Sequence, residues 1–326
     1  MNNSTIIKAS EVIQPNSGNN NHNNSPLIKA NTNEVSLEHL KSDCIIPVFS
    51  KDNETTISHH EFIDITHQVA KSMFKGHSIS NPEIRTSHII KGRVPSAIGK
   101  PVKELLKNEK TIYYERMMFK YDIPTISTKI GDNELNLVFG GVRAYNKENL
   151  YSKKSLEKFK FFIGFKNLVC CNLCVSSDGN VVEIRSSSLK ELESKIMEAI
   201  GMYEMQNQIK KFRKFTEYEI SEKQFAQFIG KCRLYQHLPN SEKNQVPKLE
   251  ISDNQINAIA KGYYSDKNFS RNSNGNLSLW QMYNLITGAN KSSYIDSFLK
   301  RSLNASELMD HICYTIENNV NSFYLN

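Results

Sequence analysis

A chain of 326 residues with 39% hydrophobic and 23% charged content is globular and holds one large domain or two small ones. Its net charge of +7 favours an anionic partner such as nucleic acid. No stretch reaches the roughly 20 apolar residues of a membrane span, and the N-terminus has no apolar core of a signal peptide. The six cysteines are too irregularly spaced for a disulfide scaffold. Reduced, mostly buried thiols in a cytoplasmic protein are expected.

Residues 1–40 are low in complexity, with the Asn-rich tract 19–24, and are expected to form a disordered tail. A short strand is expected at Ile45–Phe49. Phe62, Ile65, Val69 and Phe74 carry helical spacing over Ser58–Phe74. His60, Asp64 and His67 sit at i, i+4 and i+7 of that helix but lack an evident fourth metal ligand, so a solvated face is the reading taken. Gly76–Lys100, with its prolines and glycines, reads as a linker. Pro101 starts a short helix over Val102–Leu106. Thr111–Tyr121 is strand or helix, ended by Pro124.

The sheet comes next. Gly131-Asp132-Asn133 turns Thr125–Ile130 into Leu135–Phe139, and Gly140-Gly141 marks a bulge or a close backbone approach. Phe159–Val175 is the most apolar run and reads as buried strand, two in succession. Phe161, Ile163 and Phe165 alternate on one face and Phe162 points to the other, so cover is expected on both faces. Asn180–Arg185 adds a strand. From Leu189 the period becomes helical: one long helix to about Phe215, a second from Ser221, a third over Ser252–Tyr264, a fourth over Leu277–Thr287 stopped by Gly288, and a last one capped by Ser306. The polar stretch Tyr263–Asn276 reads as a mobile loop.

The class expected is α+β: an antiparallel sheet in the middle of the chain, then a mostly helical C-terminal half. Residues 41–186 form the mixed region with the sheet. Residues 187–326 form helices packed on it or a second subdomain.

Catalytic signatures are missing. There is no Gly-x-Ser-x-Gly elbow, no phosphate-binding Gly-x-x-x-x-Gly-Lys loop and no Gly-x-Gly-x-x-Gly, and Gly140-Gly-Val-Arg143 lacks the following helix that a phosphate loop needs. Cys171 and Cys174 have redox spacing but lie in a strand-like run, so core packing is the reading taken. No catalytic residue, metal or cofactor is assigned. The suggestive feature lies around the central strand. Lys147, Lys153, Lys154, Lys158, Lys160 and Lys166 face only Glu148 and Glu157 within residues 147–172, with Tyr145 and Tyr151 interleaved and Arg143 just before. Cations for the backbone and aromatic faces for bases are what a single-strand groove requires. Trp280, Tyr283 and Asn284 form a secondary candidate for stacking, against the plainer reading of core anchors.

Two resemblances follow from particular residues. Glu104-Leu-Leu, Glu109-Lys-Thr, Tyr113-Tyr-Glu-Arg-Met117 and Ile123-Pro124 resemble a family of uncharacterised Bacteroidetes proteins, a domain of unknown function, over most of the chain after about residue 40. Phe165-Lys-Asn-Leu-Val-Cys-Cys-Asn172 and Leu279-Trp, Tyr283-Asn and Thr287 are similar, more distantly, to the phage/plasmid-like protein family. The two resemblances imply a context of phages, plasmids and conjugative elements, and the sheet followed by helices is loosely similar to the single-strand annealing recombinases that such elements often carry. The function expected is a non-enzymatic nucleic-acid-binding protein of a mobile element, an annealing or replication accessory. The alternative is a module that engages a host protein. The partners expected are accordingly single-stranded DNA or a host protein.

Overall fold

Three long antiparallel strands carry the fold: β5 (Arg116–Ile130), β6 (Asn133–Ala144) and β7 (Glu157–Asn167). The computed structural model describes residues 25–44, 56–148, 156–176 and 178–326. Ahead of these strands come β1 (Asn33–Glu34), α1 (Leu37–Ser42), α2 (His59–Met73), β2 (Glu83–Thr86), β3 (Ile89–Arg93) and β4 (Lys110–Tyr114). After them come β8 (Leu173–Cys174), β9 (Val181–Ser186), α3 (Leu189–Gly201), α4 (Met205–Glu217), β10 (Glu219–Ile220), α5 (Glu222–His237), α6 (Asn240–Lys243), α7 (Asp253–Ser265), β11 (Leu277–Ser278), α8 (Leu279–Asn290) and α9 (Ile295–Glu317). The main sheet runs β1-β2-β5-β6-β7-β8, with β9 also paired to β7, and every pairing in it is antiparallel. The chain is thus α+β, as composition and periodicity predict.

Side-chain alternation makes two unlike faces. The inner face presents Met117, Phe119 and Tyr121 from β5, Leu135, Leu137 and Phe139 from β6, and Phe161, Ile163 and Phe165 from β7. Phe62 and Ile63 of α2 and Leu192 and Ile196 of α3 pack in the same cluster. Close approach here needs glycine: a Cβ on Gly140 would sit 2.0 Å from the carbonyl oxygen of Phe119, and one on Gly141 would meet the Phe62 ring at 2.4 Å. The outer face presents Met118, Val138, Val142 and Phe162, which pack with Ile295, Phe298 and Leu299 of α9 and with Leu27 and Ile28. The central strand is therefore covered on both sides.

The inner cluster continues without a break into the C-terminal helices, through Phe212, Phe215, Trp280 and Tyr283 to Leu308, Met309 and Ile312. Capping boxes fix the starts of α2 (Ser58 with Glu61), α5 (Ser221 with Gln224) and α8 (Ser278 with Gln281).

Several boundaries differ from the sequence reading. Residues 25–40, expected in the tail, are structured, because Leu27 and Ile28 are buried against α9 and Ser36 caps α1. The strand expected at Ile45–Phe49 lies outside the described residues. β5 runs through Pro124: its register shifts between Ile123 and Ser127, and that irregularity accommodates a residue with no N–H to give. The expected 189–215 helix is two, since the chain turns between Gly201 and Met205. α8 passes Gly288 and ends at Asn290. α9 starts at Ile295 rather than after Ser306, because its buried stripe of Ile295, Phe298, Leu299 and Ser302 is already in phase with Ala305, Leu308 and Met309. Ser306, the expected cap, is a fully buried position inside α9, and Asn304 just before it bonds to the 248–250 segment. The 263–276 stretch is pinned: Tyr263 is buried and donates to the Gly275 carbonyl, while Asn272 and Asn276 donate to Glu219.

Candidate nucleic-acid interface

The residues expected to make one groove occupy three different places, decided by strand parity and by position along the strand. Arg143 shares the inner face with Leu135, Leu137 and Phe139. It is fully buried, ion-paired to Glu148 (3.1 Å) and Glu157, and bonded to the Ile57 carbonyl. Its guanidinium lies 4.6 Å from the Tyr145 ring centre and 4.5 Å from that of Phe159. Tyr145 is 5% exposed and stacks on His59 at 4.5 Å. Both are interior groups; a strand cannot offer them and its outward lysines to one ligand. Burial raises the Glu157 carboxyl above its ordinary value against the pull of Arg143, and pushes the Tyr145 hydroxyl up to about 12.

Lys158 and Lys160 point to the outer face at the start of β7. Opposite them on β9 stand Arg185 and Glu183, themselves paired at 3.2 Å. Lys147 is exposed at the end of β6 and lies 3.6 Å from Asp296. These cations share one end of the sheet. Tyr151, Lys153 and Lys154 lie outside the described residues.

Lys166 belongs to the opposite end of β7. Its ammonium is 2.8 Å from Asp122 Oδ2, an oxygen that Lys120 also reaches at 3.0 Å; Lys120 is further held by Glu83 at 2.9 Å. Burial raises the Asp122 carboxyl, but the two lysines outweigh it and hold it below the ordinary value. Trp280, Tyr283 and Asn284 are buried, with exposures of 4%, 0% and 1%. They anchor the core: Trp280 Nε1 donates to Asn133 Oδ1 at 2.7 Å and the Tyr283 hydroxyl to the Val175 carbonyl at 3.1 Å.

Sequence reasoning missed the β3–β4 arm, which it took as linker and short helix. β3 and β4 form a two-stranded ribbon outside the main sheet, with Ile112 of β4 also bridged to Cys44, and the residues between the two strands make short 3-10 turns. The arm joins the sheet where β4 leads into β5, the same end that carries Lys147, Lys158 and Lys160. Residues 89–110 hold six basic side chains against Glu104 and Glu109. Only Lys100 is paired, to Glu109; Lys91, Arg93, Lys103, Lys107 and Lys110 have no ion pair among the described residues. A cleft of about 640 Å³ opens along the hairpin, lined by Lys91, Arg93, Lys110, Val102, Leu105 and Asp43. The available signal was the basic count in 89–110, obscured by its prolines and glycines.

The histidines of α2 serve separate roles. His59 Nε2 faces the Tyr114 carbonyl at 2.8 Å, His60 contacts the Ser58 hydroxyl, and His67 stacks on Tyr121 at 4.9 Å. No group of three His, Cys, Asp or Glu among the described residues is placed to hold a metal ion. Cys171 and Cys174 are buried and form no disulfide, and burial pushes Cys174 well above the ordinary thiol value. No helix among the described residues is long and apolar enough to cross a membrane.

Fold and site together define an α+β protein with a helix-covered antiparallel sheet and a basic arm at one end. A family profile described as "Domain of unknown function, B. Theta Gene description (DUF3871)" matches residues 6–324, so the chain belongs to that family. No curated protein and no solved structure matches the chain.

Proposed function

We propose that the protein is a non-enzymatic factor that binds single-stranded nucleic acid at the basic end of its sheet. The observation that carries this reading is the arm, with Lys91, Arg93, Lys103, Lys107 and Lys110 free of ion pairs among the described residues. A polyanion supplies the counter-charge these side chains lack, and release of its counterions drives association. Lys147, Lys158 and Lys160 extend the same surface toward β9. Because Tyr145 is interior, affinity rests on phosphate contacts more than on base stacking, and sequence preference is weak. The resemblance of residues 165–172 and 279–287 to the phage/plasmid-like family supports a place in a mobile element, as an annealing or replication accessory. A mobility-shift titration with labelled single-stranded DNA in low salt tests the reading; no shift at micromolar protein removes it.

One further observation favours a second reading, a module that engages a host protein. Ile98, Val102 and Leu106 are 60–68% exposed on the same arm. Under this reading Val102→Asp with Leu106→Asp abolishes retention of the partner after nuclease treatment, while the lysine variants leave it intact.

A further inference from the structure

The arm presents apolar side chains to solvent as well as cations. Ile89, Ile98, Val102 and Leu106 lie within residues 89–106 and are four of the fourteen large hydrophobic side chains exposed among the described residues. Val102 and Leu106 are 68% and 60% exposed, whereas Ala97 and Leu105 turn inward. This presentation is fixed by the buried Glu109. Its carboxylate accepts from the Leu106 N–H at 2.8 Å and from the Lys100 ammonium, and its carbonyl accepts from the Val94 N–H at 3.0 Å. Uncovered aliphatic surface concentrated on ordered turns marks a contact site.

Two of these aliphatics are each followed by a cation. Val102 precedes Lys103 at the start of one 3-10 turn, and Leu106 precedes Lys107 at the start of the next. Val102 also lines the cleft of the arm with Leu105, Lys91, Arg93 and Lys110, so apolar and cationic groups converge in space as well as along the chain. A ligand that covers both must offer anions and apolar faces at short intervals. Unstacked nucleotides do so, since each carries a phosphate and a base whose faces are hidden only while it is stacked. Residues 89–110 contain no aromatic residue, so the arm has no platform on which bases could stack. Aliphatic side chains engage bases differently: they insert between neighbours as wedges and hold them apart.

We propose that Val102 and Leu106 insert between bases of the bound strand while Lys103 and Lys107 hold the adjacent phosphates, so that the arm unstacks the strand and favours pyrimidine-rich single strands. This rests on the reading of the arm as a nucleic-acid surface, and adds to it the mode of base contact and the class of substrate. Unstacking costs least where stacking is weakest, in pyrimidine runs, so the preference is a modest one of composition rather than a readout of base edges. A strand held open in this way keeps its base edges free for pairing, which is what an annealing accessory requires.

Two measurements on the full chain test it. Anisotropy titrations in low salt compare labelled oligothymidylate and oligoadenylate of equal length. A strand carrying 2-aminopurine between adenines reports unstacking, because stacking quenches the fluorescence of that base. The expected result is severalfold tighter binding of oligothymidylate and a severalfold rise in 2-aminopurine fluorescence at saturation. In Val102→Ser/Leu106→Ser, shown to be folded by circular dichroism, oligothymidylate affinity should fall to the oligoadenylate level and most of the fluorescence rise should disappear. Val102→Ile/Leu106→Ile should keep both properties. Binding without a fluorescence rise, equal affinity for the two strands, or either property undiminished in folded Val102→Ser/Leu106→Ser overturns the proposal and leaves the arm a surface for phosphates alone. No binding of either strand removes the reading of the arm together with it, so the two failures are distinguishable.

Discussion

Asn172 donates its side-chain amide to the main-chain carbonyl of Asn284, 2.9 Å away and 112 residues on in the chain. Asn167 donates to the Asn284 side-chain oxygen at 3.1 Å, and Asn284 in turn donates to the Trp280 carbonyl. The strand end 165–172 and the helix 279–287, the two segments that resemble the phage/plasmid-like family, are thus one docking contact. It fixes the tight turn in which Cys171 takes a left-handed conformation (φ 55°).

Asn284→Ala should lower stability by about 1–3 kcal/mol, because it leaves the buried amide of Asn167 without an acceptor. Urea denaturation measures it. A change within error would mean that the contact is incidental.

Phe161 and Phe165 are fully buried on the inner face. Phe161→Ala or Phe165→Ala should cost about 3–5 kcal/mol, a large part of a typical domain's stability. Replacing Lys103, Lys107 and Lys110 together by Ala should leave the melting temperature nearly unchanged, since exposed charges contribute little. Calorimetric melting of both sets separates core from surface.

Arg143→Met leaves Glu148 and Glu157 buried without their cation, and should destabilise by about 3–5 kcal/mol at neutral pH. Protonation relieves the orphaned carboxylates, so the gap to the parent protein should narrow as pH falls toward 4.5. A gap independent of pH would show that poorer packing, rather than charge, is the cause.

His59 is buried, and desolvation followed by the Arg143 charge lowers its ring to about 3 from an ordinary 6.5. Between those values the unfolded chain carries a proton on this ring that the native protein does not. Stability is therefore full above about pH 6.5 and falls as pH drops toward 3, by on the order of 4 kcal/mol from this group. His59→Gln should flatten the stability–pH curve across that window. An unaltered curve would place the acid sensitivity elsewhere.

Alternation and caps made the sheet and most helices legible in the sequence. Ser221 with Gln224 marked α5, and Leu135, Leu137 and Phe139 marked the inner face of β6. That same alternation, carried two steps past Gly141, puts Arg143 inside; reading the basic stretch by composition alone hid it. Lys120 and Lys166 lie 46 positions apart and meet only through the β5–β6–β7 register, so no local pattern could announce their shared carboxylate. Pro124 and Ser306 carry local boundary signals that tertiary context overrides, the first by a register shift and the second by burial inside α9.

The central claim is that the arm binds single-stranded nucleic acid. Fluorescence anisotropy with a labelled oligonucleotide, repeated across a series of salt concentrations, tests it most directly. The account predicts micromolar or tighter affinity in low salt that falls steeply with salt. In Lys103→Ala/Lys107→Ala/Lys110→Ala, affinity should drop tenfold or more and the slope of log affinity against log salt should flatten by up to about 2, roughly 0.7 for each phosphate no longer neutralised. Equal affinity and slope in the folded triple variant would contradict the account.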